Sequence, residues 1–326
     1  MNKKPLISIL TTSWNREKYL RKLAQSLKTQ KFKNFEWIVS NDGSNDKTDE
    51  FIKRFSKKVN FRIVYIKSSL RIGKAKLTNL MMKKITGKYT IECDSDDYFY
   101  PYSLDYFIKT INDKNLKKIK NFGGIIAQNI STEGVSQTFK NLVPKKINYL
   151  KWENLYKLIH GDGTIITHSK NYKNKKYLEV DFLINESSLA NKIFKNKLFL
   201  VSPKIVKVMN RSAQNSVSFG DKLQYTRGTT YCIAINENKN NFIKKKFIEK
   251  IKTVIFYWRF SLHGDVSFKK TLNMFYSIKK NYFYILLYPF SLMFFLRDII
   301  FKKIEKTHIE FQKNIKKTKV NISTFN

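Results

Sequence analysis

Three times before residue 90, a short apolar run rich in β-branched and aromatic residues is followed by apolar positions at helical spacing. No other feature restricts the fold as much. LISILT at 6–11 precedes Leu20, Leu23, Ala24 and Leu27. FEWIVS at 35–40 precedes Phe51, Ile52 and Phe55, and FRIVYI at 61–66 precedes Leu77, Leu80, Met81 and Ile85. Successive strand–helix units make parallel strands with crossover helices, so the expected class is α/β: a mostly parallel central sheet flanked by helices. A fourth strand, YTIEC at 89–93, is followed by Pro101, which can open a helix carrying Leu104, Phe107, Ile108 and Ile111. Another strand is expected at 122–127, whereas 128–215 yields no topology.

The fourth strand runs into an acidic cluster, Asp94, Asp96 and Asp97, in a chain with only 25 acidic residues against 63 basic ones. Like charges so close need a counter-ion or abundant water. Open α/β sheets bind ligands at the carboxyl ends of their strands. Carboxylates there can hold a hard divalent cation, which commonly takes one or two of them plus substrate phosphates. The plain alternative is a solvated turn that caps the helix at Pro101. A second acidic turn, NDGSNDKT at 41–48, ends strand two. Asn41 and Asp42 could there hydrogen-bond a base or ribose, while Ser44 and Asp46 or Asp49 cap the next helix. Two such turns on one sheet edge favour a nucleotide crevice.

Charge enters as a question of partners. The formal net charge of +38 suits an anionic membrane surface or nucleic acid, although the abundance of Lys, Asn and Ile is also what an AT-rich genome gives. No basic block interleaved with aromatics resembles a nucleic-acid module, so no nucleic acid is expected. Cys93 and Cys232 lack disulfide or zinc spacing, in keeping with a reducing cytoplasm. The apolar run in MNKKPLISIL is too short for a secretion signal, and the chain is expected to start at Met1.

After about residue 240 the sequence becomes a basic and apolar helical region. Its run YFYILLYPFSLMFFL at 282–296 falls short of the roughly 20 residues that span a bilayer, so a helix lying on the membrane surface is the preferred mode, ahead of a buried helix pair. Residues 313–326 read as a frayed polar tail. The expected organisation is a catalytic domain over 1–225 and a helical extension over 226–326.

ISILTTSWNREKYL, WIVSNDGSNDKT and GKAKLTNLMMKKITGKYTIECDSDD, in that order and spacing, resemble the nucleotide-sugar-binding half of the family 2 inverting glycosyltransferases, which have the Rossmann-like A-type glycosyltransferase fold. A weaker likeness reaches INESSL at 184–189 and RSAQNSVS at 211–218. The resemblance implies a nucleoside-diphosphate sugar donor, Mn2+ or Mg2+ as cofactor, and a glycan or lipid-linked glycan acceptor, with cell-surface polysaccharide as the product class. It places Thr12 and Trp14 at the uracil-type base and Asp42 at the base ring. Asp94 and Asp96 stand at the D-x-D that touches the ribose and holds the metal, with Asp97 as a further ligand candidate. Thr12 replaces the usual Pro, and Thr78 stands where an Arg is usual, beside the retained Asn79. Arg71, Lys74 or Lys76 would then supply the cation for the diphosphate. Glu186 matches the base that deprotonates the acceptor, with Asp181 as runner-up; His160 and Asp162 fall where the acceptor site is shaped, and Arg211 is a further diphosphate candidate. Membrane association would put the enzyme on the inner face of the plasma membrane. Two other classes stay open: a non-catalytic polyanion- or membrane-binding protein on this fold, and a Mg-dependent nucleotidyltransferase.

Overall fold

The computed structural model describes residues 4–139, 146–159, 161–180, 182–184, 186–210, 226–237, 242–275, 282–301 and 318–325. The chain divides into two compact units: Met1–Lys176 with Lys192–Gln214 and Gln312–Asn326, and Tyr177–Asn191 with Asn215–Phe311. The first unit thus draws on three stretches of the chain and the second on two.

The first unit is built on the expected repeat. β1 (Ile7–Ser13), β2 (Phe35–Asp42), β3 (Arg62–Ser68) and β4 (Tyr89–Glu92) pair in parallel in the order β3-β2-β1-β4. Every residue of β2 is buried, as expected of a strand covered on both faces. Alternation along the strands sorts the side chains. Ile9, Trp37, Ile63 and Ile91 pack with α1 (Glu17–Lys28), α2 (Thr48–Ser56) and α4 (Ser103–Asp113), while Leu10, Ile38 and Val64 pack with Leu77 and Met81 of α3 (Lys74–Met82).

Beyond β4 the sheet becomes mixed. β5 (Tyr98–Phe99), β6 (Phe122–Ser131), β7 (Asn148–Lys151), β8 (Thr164–His168) and β9 (Leu198–Met209) extend it through antiparallel β4·β8, β6·β8, β5·β9 and β7·β9 pairs and one parallel β6·β9 pair. The tail expected to fray forms β10 (Val320–Phe325), antiparallel on β3, with Ile322 opposite Ile66 and Thr324 opposite Val64. Pairing with the otherwise open edge of β3 satisfies its backbone groups, which overrides the weak local pattern. Removing residues 318–326 should therefore lower the melting temperature by several degrees and promote association through that edge, read by thermal unfolding and light scattering. An unchanged melting curve with no larger species would contradict this role.

α5 (Ser187–Phe194) begins in the second unit, which also holds α6 (Thr226–Asn236), α7 (Phe247–His263), α8 (Phe268–Met274), α9 (Tyr282–Ile285) and α10 (Tyr288–Ile300). Its core gathers Phe242, Val254, Tyr257, Trp258, Phe275, Tyr284 and Leu287. The Trp258 indole donates to the Tyr284 carbonyl at 3.2 Å.

Candidate active site

The loops that leave the carboxyl ends of β1 and β2 are tied together by side chains. Asn15, whose φ is 49°, donates its backbone N–H to Ser44 Oγ at 2.9 Å, and its side-chain carbonyl accepts from the Asn45 N–H at 2.9 Å. Asp46 accepts from the Glu17 N–H of α1 at 2.9 Å and from the Thr48 N–H of α2 at 3.0 Å. One carboxylate thus caps two helix N-termini, where unpaired N–H groups and the helix dipole favour negative charge.

The loop after β3 is drawn to the same edge. A Cβ at Gly43 (φ 68°) would lie 2.5 Å from the Leu70 carbonyl carbon and 2.7 Å from the Arg71 nitrogen, so only glycine admits this close approach. Asp42, buried at the end of β2, accepts from the Ile72 N–H at 2.7 Å and the Gly73 N–H at 3.0 Å. Burial pushes its carboxyl above the usual range, against those N–H donors and the charges of Arg71 and Lys76. In this structure it holds the β3–α3 loop. That loop lays the Arg71 guanidinium over the Trp14 ring, 3.5 Å from the centroid, a flat cationic–aromatic surface. Thr12 accepts from Ser40 Oγ at 3.2 Å beside it; Lys76, Thr78 and Asn79 are buried along α3.

Each aspartate of the cluster after β4 meets its own cation. Lys74 Nζ lies 2.6 Å from Asp94 Oδ1, Arg16 Nη1 lies 3.1 Å from Asp96 Oδ2, and Lys207 Nζ lies 2.5 Å from Asp97 Oδ2. The surroundings differ. Asp94 is 49% exposed and Lys74 holds its carboxyl well below the usual carboxylate range. Asp96 is nearly buried, and burial raises it despite Arg16. Asp97 and Lys207 are 4% and 7% exposed. Burial raises Asp97 to about 6 against the pull of Lys207; burial alone would lower Lys207, and the Asp97 carboxylate more than reverses it.

The other sequence candidates are placed as follows. Asp162 is exposed, and its backbone carbonyl accepts from Asn129 and Thr138, at 2.9 and 2.8 Å. Glu186 is exposed, belongs to the second unit, and starts α5 with its carbonyl accepting from Leu189 and Ala190. His160, Asp181 and Arg211 lie outside the described residues. Sequence reasoning missed Arg16 and Lys207. Arg16 stands beside Trp14 in a loop already singled out, whereas Lys207 is distant in sequence and joins Asp97 only because β9 pairs with β5. Among the described residues, no three His, Cys, Asp or Glu side chains gather as a metal-binding group.

Residues 8–171 match the family described as "Glycosyl transferase family 2". An uncharacterized glycosyltransferase of Methanocaldococcus jannaschii is 26% identical over 307 residues, covering 93% of this chain and 96% of its own. An uncharacterized glycosyltransferase of Rickettsia typhi is 28% identical over 164 residues, so that the match spans half of each chain. Among solved structures, that of S. aureus TarS 1–349 in complex with UDP-GlcNAc superposes with a TM-score of 0.56 at 16% identity, covering 82% of this chain and 79% of that one. This likeness establishes the fold.

Proposed function

The chain belongs to glycosyl transferase family 2, and on that premise we propose that it moves a sugar, with inversion, from a nucleoside-diphosphate sugar to a hydroxyl of a glycan or lipid-linked glycan in cell-surface polysaccharide synthesis. One observation carries the donor assignment. At the carboxyl edge of the parallel strands, Asp94 and Asp96 pair with Lys74 and Arg16, which lie within three residues in sequence of Arg71 and Trp14 of the stacked pair, a set of groups suited to a base, a ribose and a diphosphate. TarS, whose structure was solved with UDP-GlcNAc, supports the donor class.

The donor set is all oxygen, and Asp94 and Asp96 are its more exposed carboxylates, at 49% and 9% against 4% for Asp97 on Lys207. Two carboxylates plus diphosphate oxygens are a common arrangement for a hard divalent ion. Asp94 and Asp96 would hold Mn2+ or Mg2+, which supplies positive charge for the departing diphosphate. The chain's own residues do the rest. Trp14 and Arg71 stack the base, Thr12 lines its edge, and Asp42 fixes the loop that presents Arg71. Lys74 and Arg16 add fixed charge where the leaving group becomes negative. Glu186 takes the proton of the acceptor hydroxyl; that oxygen bonds to the anomeric carbon as the sugar–phosphate bond breaks and the nucleoside diphosphate leaves. Asp162 contributes to the acceptor side, where the resemblance also puts His160.

Glu186→Gln should lower kcat by about 10²–10⁴, the usual worth of a general base, with donor KM nearly unchanged. The assay measures nucleoside diphosphate released per acceptor glycosylated. Wild-type kcat in the variant would remove Glu186 from the mechanism. Pyrophosphate as the product would replace the whole reading with nucleotidyl transfer.

A further inference from the structure

We infer that α10 docks this protein onto the anionic surface of a membrane through the helix face turned away from its own core. A helix on the surface of a water-soluble protein shows apolar side chains to the core and polar ones to water. Here the order is reversed. From Tyr282 to Phe301 the charged residues are Arg297 and Asp298, and the hydroxylic ones besides tyrosines reduce to Ser291. The buried positions are Tyr284, Leu287, Ser291 and Asp298, at three- and four-residue steps or their sum, so Ser291 and Asp298 point inward. Ser291 Oγ returns to the Leu287 carbonyl at 3.1 Å. Asp298 is fully buried and accepts from Arg259 Nε of α7 at 2.6 Å, with His263 Nε2 at 3.1 Å.

What faces outward is apolar except for Arg297, which is 44% exposed. Leu286, Phe290, Met293, Leu296 and Ile300 are 69%, 56%, 66%, 48% and 73% exposed. A contiguous apolar face of this kind marks a binding surface. Its occupant is indicated by charge. Lys279 and Lys280 precede the segment and Lys302, Lys303 and Lys306 follow it, in a chain of net charge +38. An apolar helix whose flanking sequence is rich in lysine matches the boundary between acyl chains and acidic headgroups, to which basic segments are drawn.

Length alone does not settle the mode. With its continuation to Ile300 the segment reaches 19 residues at mean hydropathy 1.6, enough by length and composition to cross a bilayer; the shortfall counted for 282–296 disappears. The packed inner face decides instead. Crossing would carry the ion-paired Asp298 and its α7 partners Arg259 and His263 into hydrocarbon, whereas a helix lying flat keeps them on the protein side.

The experiment is sedimentation of the full chain with vesicles of phosphatidylglycerol and phosphatidylcholine, compared with vesicles of phosphatidylcholine alone. Point substitutions are used because truncation would also remove β10. Wild type should pellet with the acidic vesicles, bind the neutral ones at least tenfold more weakly, and be released by alkaline carbonate. Phe290→Glu with Met293→Glu should bind acidic vesicles at least tenfold more weakly while keeping its circular dichroism and nucleotide binding. No binding of wild type to either vesicle, or equal binding by the variant, overturns the proposal. So does retention after carbonate, which means a span, or a vesicle-free dimer dissolved by the variant, which makes the face an interface between copies. None of these outcomes bears on Asp94, Asp96 or Glu186, so docking and catalysis fail separately.

Discussion

A protein carrying Asp94→Asn and Asp96→Asn should fold normally and transfer sugar at about one-thousandth of the wild-type rate or less, comparable to losing a principal electrostatic group in an active site. The fold survives because of where the partners sit. Lys74 is 34% exposed, and exposed or half-exposed pairs are worth only about 0–1 kcal/mol. Arg16 is only 14% exposed, but the amide oxygen that replaces the Asp96 carboxylate can still accept from its guanidinium. Activity does not survive, because Lys74 and Arg16 alone do not replace the divalent ion that the two carboxylates would hold against the charge of the departing nucleoside diphosphate. The measurement is kcat for transfer alongside thermal unfolding. A rate within tenfold of wild type would show that these carboxylates are structural; a collapse of the melting temperature would make the rate uninformative about chemistry and contradict the partition drawn here.

Lys207→Met should do the opposite, costing about 3–5 kcal/mol of stability at pH 7.5, the usual penalty for removing one partner of a buried pair. Asp97 is left in a site that excludes water, beside Cys93, whose thiol burial already pushes up. It can escape only by taking a proton. In the wild type Asp97 titrates at about 6, above its unfolded value of 3.8, so the native state binds that proton more tightly and stability falls as pH rises between the two. Without Lys207 the native value moves higher still, so the deficit of the variant should widen above about pH 6. Adding Asp97→Asn to Lys207→Met should recover most of the loss, because no charge then remains to bury. Chemical denaturation of the single and double variants at pH 5.5 and 7.5 reads this directly. A loss below about 1 kcal/mol, the level of a surface pair, or a double variant no better than the single one, would refute it.

These two expectations separate what the sequence makes legible from what it hides. β1 to β4 are written locally: apolar runs of strand length, helical stripes between them, and turn residues at the junctions. The acidic cluster and the NDGSNDKT turn can be found the same way, since a strand's carboxyl end is a position that pattern alone locates. Their partners cannot. Lys207 sits in IVKVM, where alternation puts it on a buried face but nothing names Asp97 as its counter-ion; the pair exists because β5 and β9 meet across more than a hundred residues. Asp42 reads from sequence as a ligand contact, but nothing local shows that it also holds the Ile72 and Gly73 N–H groups of the loop that carries Arg71 to Trp14. The tail VNISTF has weak alternation and becomes a strand only because β3 offers an edge. The continuous apolar run at 282–296 conceals which side is covered, and the structure assigns the inward side to its polar members, Ser291 and, just past the run, Asp298.

The most direct test of the central claim, that Asp94 and Asp96 with a divalent ion anchor a nucleoside diphosphate, is calorimetric titration of the full chain with UDP, GDP and dTDP in Mn2+ and then in chelator. One of the three should bind at least tenfold more tightly with the metal, about 1.4 kcal/mol, and the Asp94→Asn, Asp96→Asn protein should show no such difference. Equal affinity with and without metal, or metal-dependent binding that persists in the double variant, would contradict it.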